Sequence, residues 1–274
     1  MPVDTRSICS LPKIRAWPAV SLALLAASLI LGVVVTAADA LSARDDAVSA
    51  GLHALDSGWV HAAVSIVTVG FSSVTGLAVL CVWAAALVLR GRRLAALATV
   101  LTVGVGWACV MVLKYVFDRP RPPFDAADGP SYPSGHTALA VSLVFAAFFL
   151  ARRTDRRDTI ATAGVLLVLL VMFARVIAGA HYLTDTVGAV LAASAAIVAF
   201  CGIWNAATPL VLRRHPALAG PGEAVAPRPP RPIPPVPDET AAAGRRPPKV
   251  LGGAMPAVDE DAAAAAPARD RRAV

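Results

Sequence analysis

Charge is scarce in this chain. Asp, Glu, Lys and Arg make up 16% of its 274 residues, while 57% are hydrophobic. So little polar surface cannot clothe a soluble domain of this length, which leaves a polytopic membrane protein. Aromatic residues are also few, at 6%. Ala, Val and Leu dominate instead, a composition suited to close helix packing in lipid. The four cysteines, Cys9, Cys81, Cys109 and Cys201, have no metal-like spacing and three lie in apolar stretches. That excludes a disulfide framework and a zinc site. No repeat of 20–50 residues is present, which removes solenoid architectures. The net charge of +7 does not imply nucleic acid, because the basic residues collect at loop ends and in a C-terminal tail.

What is present is a series of apolar runs: 17–38, 60–89, 94–113, 137–150, 159–174 and 186–203. They predict an all-α membrane protein with six transmembrane helices. The later runs are short against the about 20 residues a bilayer needs, so each helix should extend into the polar motif beside it. Ala38-Asp39-Ala40 resembles a signal-peptide cleavage site, but the preceding run exceeds the usual signal core, so a retained first helix is expected. The acidic segment 39–58, with Leu41, Val48, Leu52 and Leu55 near helical spacing, reads as a short surface helix. With the N-terminus inside, segments 1–16, 90–93, 151–158 and 205–274 share one face and hold 20 of the 25 Lys and Arg residues. The positive-inside rule therefore predicts cytoplasmic termini in a cell membrane.

Residues 1–204 form the expected membrane domain. Residues 205–274, rich in Pro, Ala and Arg, read as a disordered cytoplasmic tail with polyproline II character.

Two polar patches interrupt the apolar sequence on the predicted extracytoplasmic face. The first, residues 114–136, carries Lys114, Arg119 and Arg121 on a Pro-stiffened loop and ends in Pro133-Ser134-Gly135-His136, where a helix resumes. Ser134 suits an N-cap, Gly135 permits close backbone approach, and a helix N-terminus favours phosphate. His136, in the first turn, is placed to donate a proton. The second patch supplies Arg175, His181 and Asp185. His181 and Asp185 are four apart, so on a helix they share a face. A carboxylate accepting from one ring nitrogen fixes the tautomer and frees the other to attack phosphorus. Metal binding is the rival use of that pair, ranked lower because four cations nearby repel a divalent ion. The expectation is that the two patches meet in one phosphate-handling site.

These residues resemble the signature of the type 2 phosphatidic acid phosphatase (PAP2) family, membrane lipid phosphatases whose site is similar to that of vanadium haloperoxidases. The three-part pattern, KxxxxxxRP, PSGH and SRxxxxxHxxxD, is matched by Lys114 to Arg121-Pro122, by Pro133 to His136, and by Ala174-Arg175 to His181 and Asp185. Ala174 departs from the family's Ser. The resemblance implies that Lys114, Arg121 and Arg175, with Ser134 and the Gly135 N–H, bind phosphate oxygens. It implies that His181 is the nucleophile, Asp185 its orienter and His136 the general acid, with no metal and no cofactor. Arg119 is left as an auxiliary.

The reading is a membrane phosphatase that hydrolyses a lipid phosphate or pyrophosphate at the extracytoplasmic face through a phosphohistidine. Tail selection would lie in apolar helix faces, so phosphatidic acid, phosphatidylglycerophosphate and polyprenyl pyrophosphate all fit. A phosphotransferase, and a transporter or binder of phosphorylated lipids, are the alternatives. The sequence leaves the oligomeric state open.

Overall fold

The computed structural model describes residues 11–125, 127–151 and 154–221. Among them the chain is all helix: α1 (Trp17–Ala37), α2 (Asp39–His53), α3 (Gly58–Gly70), α4 (Ser73–Leu89), α5 (Arg93–Phe117), α6 (Gly135–Ala151), α7 (Arg157–Ile177) and α8 (Leu183–Arg214), with a 3₁₀ turn at Pro216–Leu218. Four helices, α1, α5, α7 and α8, are long and apolar enough to cross a membrane. The pair α3 and α4 passes the same test together as a bent fifth. The remaining apolar run lies in α6, which has 17 residues.

The run expected as one tilted helix over 60–89 is broken, with a bend of 53° between α3 and α4. The break is local chemistry. Gly70 ends α3, and Ser72 caps α4 by accepting from the Thr75 N–H at 3.2 Å. Such a cap satisfies an otherwise orphaned helix donor and favours a fresh start.

The centre of the bundle is built from small side chains. Val110 of α5, Ala138 of α6, and Ala189, Ala192, Ala193 and Ile197 of α8 are essentially inaccessible. Small residues let helix backbones approach closely, the main source of packing energy where lipid is as apolar as Leu. Gly188 is one such close approach: a Cβ there would fall 2.3–2.4 Å from the Tyr132 ring and hydroxyl. Large apolar side chains point outward instead, among them Leu77 and Val82 of α4 and Leu166 of α7, as a lipid-facing surface requires.

The first helix is bound into this bundle along α8. Ser21 Oγ donates to the Ala195 carbonyl at 2.8 Å and Ser28 Oγ to the Gly188 carbonyl at 3.0 Å. At the other end of α8 the boundary expected at residue 204 falls inside the helix, which continues to Arg214. Trp204, Thr208 and Leu212 are buried at four-residue spacing, and Asn205 holds the backbone of Leu11 and Pro12. That packed stripe carries the helix on through Pro209. Residues 222–274 of the expected tail, and residues 1–10, lie outside the described residues.

Candidate active site

The C-terminal ends of α5 and α7 and the N-terminal ends of α6 and α8 meet at one end of the bundle, bringing the two polar patches together. His136 lies within electrostatic range of Arg175, His181, Arg121 and Lys114.

The loop after α5 cannot continue the helix, because Asp118 turns left-handed at φ 42° and prolines follow. It folds back so that its carbonyls hold the cations. Lys114 Nζ donates to Pro130 O at 2.7 Å and Ser131 O at 3.3 Å. Arg121 donates through Nε to Gly129 O at 3.0 Å, and through one terminal nitrogen to Asp125 at 2.6 Å and Ala180 O at 3.3 Å. Burial works to raise the Asp125 carboxyl, but the Ala127 N–H and Arg121 outweigh it and hold the group below the usual carboxylate range. Arg175 is 7% exposed and gives one donor to Thr68 Oγ1 at 3.1 Å. Its Nε is buried with no hydrogen-bond partner among the described residues.

Ser134 directly precedes α6, and its carbonyl accepts from the Ala138 N–H at 3.1 Å. Its own N–H donates to the Asp185 carbonyl at 3.1 Å, which ties α6 to α8 at the site. Gly135 is small for a packing reason, since a Cβ there would meet Met111 of α5 at 2.8 Å.

His181 and Asp185 do approach, but not as neighbours on a helix face. His181 stands before α8, and Asp185 in the first turn folds back as a cap. Asp185 Oδ2 accepts from the Tyr182 N–H at 2.9 Å and lies 3.4 Å from His181 Nδ1. Both side chains are almost wholly buried. Burial pushes His181 down to about 4, against the opposing pull of Asp185. The imidazole is therefore neutral at ordinary pH, with Nε2 the ring nitrogen not engaged by Asp185.

Arg119, expected as an auxiliary phosphate ligand, directs its donors elsewhere. One terminal nitrogen meets Asp185 Oδ1 at 2.7 Å and Thr184 Oγ1 at 2.9 Å; the other meets Asp45 Oδ2 at 3.0 Å. At 4% exposure and with two carboxylates facing it, the guanidinium is satisfied behind the histidine.

Helix α2 is the element the sequence reading underrated. Its apolar residues were expected to set its face, yet Val48 and Leu55 are exposed while Asp45 and Ser49 are buried. Ser49 Oγ donates to the His181 carbonyl at 3.4 Å, and His53 Nδ1 sits 2.8 Å from the Ile177 carbonyl. The His53 ring stacks on Phe124 at 4.4 Å. Asp45, Ser49 and His53 recur every four residues, so a polar stripe was legible had polarity been read instead of apolarity. Thr68 and Thr184 carried no sequence signal.

Residues 93–208 match the family model of the PAP2 superfamily. Among solved structures the chain is similar to the "crystal structure of the first transmembrane PAP2 type phosphatidylglycerolphosphate phosphatase from Bacillus subtilis". The TM-score is 0.60 at 22% identity, over 71% of this chain and 98% of that one. At that identity the likeness is one of fold. No curated protein matches the chain.

Proposed function

We propose that the protein, whose residues 93–208 match the PAP2 superfamily model, is a phosphatase of lipid phosphate or pyrophosphate, acting without a metal through a phosphohistidine at the extracytoplasmic face. The observation that carries this is the pairing of a buried, neutral His181 with Asp185 at 3.4 Å, beside the cations Lys114, Arg121 and Arg175.

In the forward step His181 Nε2 bonds to phosphorus as the phosphorus–oxygen bond to the leaving group breaks. Asp185 stabilises the positive charge that develops on the ring and keeps the proton on Nδ1. His136 protonates the departing oxygen. Water then attacks the phosphohistidine, His136 takes the water's proton, and inorganic phosphate leaves. Lys114, Arg121, Arg175 and the N-terminus of α6 stabilise the charge spread over the transferring group, the task a Mg²⁺ performs elsewhere. The unpartnered Arg175 Nε suits this role, since a buried donor without an acceptor is costly until an anion supplies one.

A lipid substrate is supported by the space below the site. A cavity of about 590 Å³ opens between α6, α7 and α8, lined by Val141, Val144, Phe148, Val165, Met172 and Val190. Val141 lies five residues after His136 and Met172 three before Arg175. A head group at the cations would leave its chain in this apolar space.

The test is to trap the intermediate. Acid-labile, radiolabelled phosphoenzyme should form from labelled lipid phosphate in the presence of EDTA, and vanish in His181→Ala. Turnover that proceeds without phosphoenzyme, or that needs added Mg²⁺, would overturn the mechanism.

A further inference from the structure

We propose that Asp45, on α2, is a positioning residue for the reaction: it clamps Arg119 and offsets its charge, so that Asp185 stays oriented and fully anionic toward His181. The inference rests on the phosphohistidine reading above and reaches outside the segment that matches the family, since α2 ends forty residues before it begins.

The geometry is a chain of four side chains. Asp45 Oδ2 accepts from Arg119 at 3.0 Å and from the Thr184 hydroxyl, and Asp45 Oδ1 accepts from the Thr184 N–H at 3.5 Å. Arg119 passes to Asp185 Oδ1 at 2.7 Å, and Asp185 Oδ2 faces His181 Nδ1 at 3.4 Å. The guanidinium also lies 4.0 Å over the Tyr182 ring, which fixes its plane. Asp45, Arg119, His181 and Asp185 are each no more than 4% exposed.

Charge explains why a second carboxylate is useful. A guanidinium facing Asp185 alone would neutralise it and oppose the positive charge that builds on His181 during attack. With Asp45 on its far side, Arg119 is shared between two carboxylates. The buried group then keeps a net negative charge beside the histidine. The other charged or titratable groups near His181, namely Arg175, Lys114 and His136, stand on the phosphate side and pull the other way. The same contacts fix geometry: Thr184 bridges Asp45 and Arg119, so α2 is pinned to the first turn of α8.

The experiment compares Asp45→Asn, Asp45→Ala and Arg119→Gln in the full chain. Asn keeps an acceptor for Arg119 and Thr184 but removes the charge. Asp45→Asn should slow phosphoenzyme formation by roughly 10–100-fold, as loss of an outer partner does for other histidine sites. Inhibition by inorganic phosphate, a ground-state anion, should be unchanged, because Asp45 does not reach the phosphate cations. Asp45→Asn/Arg119→Gln should be no slower than Arg119→Gln alone, since both act through one contact. Wild-type phosphoenzyme formation in Asp45→Asn, or a parallel loss of affinity for inorganic phosphate, would overturn the proposal. A second arm needs no turnover. In histidine-labelled protein, the His181 Nδ1–H resonance should shift in Asp45→Asn as its bond to Asp185 weakens. An unmoved resonance would overturn the role of Asp45. Absence of phosphoenzyme in the wild type would instead remove the catalytic reading, leaving the resonance to judge Asp45 alone. If Asp45→Ala does not fold, Asp45→Asn still decides.

Discussion

At the scale of single residues the site is a set of charges that satisfy one another until an anion arrives. Lys114 and Arg121 lean on loop carbonyls, and Arg175 on a threonine hydroxyl. Neutral acceptors hold Lys114 and Arg175 in place without cancelling them, while Arg121 also pairs with the Asp125 carboxylate. His181 is the exception, kept neutral by burial, and this has a measurable consequence. Its ordinary value near 6.5 is pushed down to about 4. In the fold the ring stays unprotonated as pH falls through 6.5, and takes up its proton only near 4. The acid limb of kcat/KM, after division by the substrate's own phosphate ionisation, should therefore fall near pH 4. A limb near 6.5 would mean that His181 titrates as an exposed histidine. Stability runs with the same sign. Between 6.5 and about 4 the unfolded chain takes up a proton that the folded site refuses, so stability should decline as pH drops across that window.

At the scale of elements, breaks in the helices matter more than the helices. The bend between α3 and α4 lets Thr68, two residues before the end of α3, reach Arg175 on α7. A straight helix over 60–89 would carry α3 along a different line from α7. Thr68→Val keeps the shape and removes the acceptor, leaving Arg175 with a second unsatisfied donor. The expected result is a KM raised roughly 5–10-fold, the equivalent of about 1 kcal/mol for one typical hydrogen bond, with kcat little changed. Thr68→Ser should restore it. A fall in kcat alone, with KM and vanadate inhibition intact, would show that Thr68 does not serve phosphate binding. The loop between α5 and α6 follows the same logic. Tyr132 enters the bundle, donates to the Ser28 carbonyl at 2.5 Å and packs on Gly188, so α1 and α8 fix the turn that starts α6.

At the scale of the whole molecule, four polar helix ends converge on one side and basic segments on the other. Arg90, Arg92 and Arg93 stand at the end opposite His181. Under the positive-inside rule, the topology proposed above puts the site on the outer face. In a background without native cysteines, a cysteine at Ala127, which is exposed beside the site, should react with an impermeant reagent in intact cells. A reporter fused after Val274 should be cytoplasmic. Labelling at Ala127 only after permeabilisation would invert the topology.

The sequence by itself determined the helical class, the polar ends and the candidate residues of the proposed site, for two physical reasons. A bilayer demands long apolar helices, so every polar interruption stands out. Phosphate chemistry draws on few side-chain types, so Lys114, Arg121, Arg175, His136, His181 and Asp185 could be named from type and spacing. Only the tertiary structure decided what lies behind them. Asp45, Ser49 and His53 sit in an acidic stretch that looked like surface, and Thr68 in an apolar run that looked continuous. Arg119, one proline away from Arg121, differs from it in nothing but direction. Those assignments depend on which helix faces which across the bundle, and contacts between residues 74 or 107 positions apart leave no local periodicity to read.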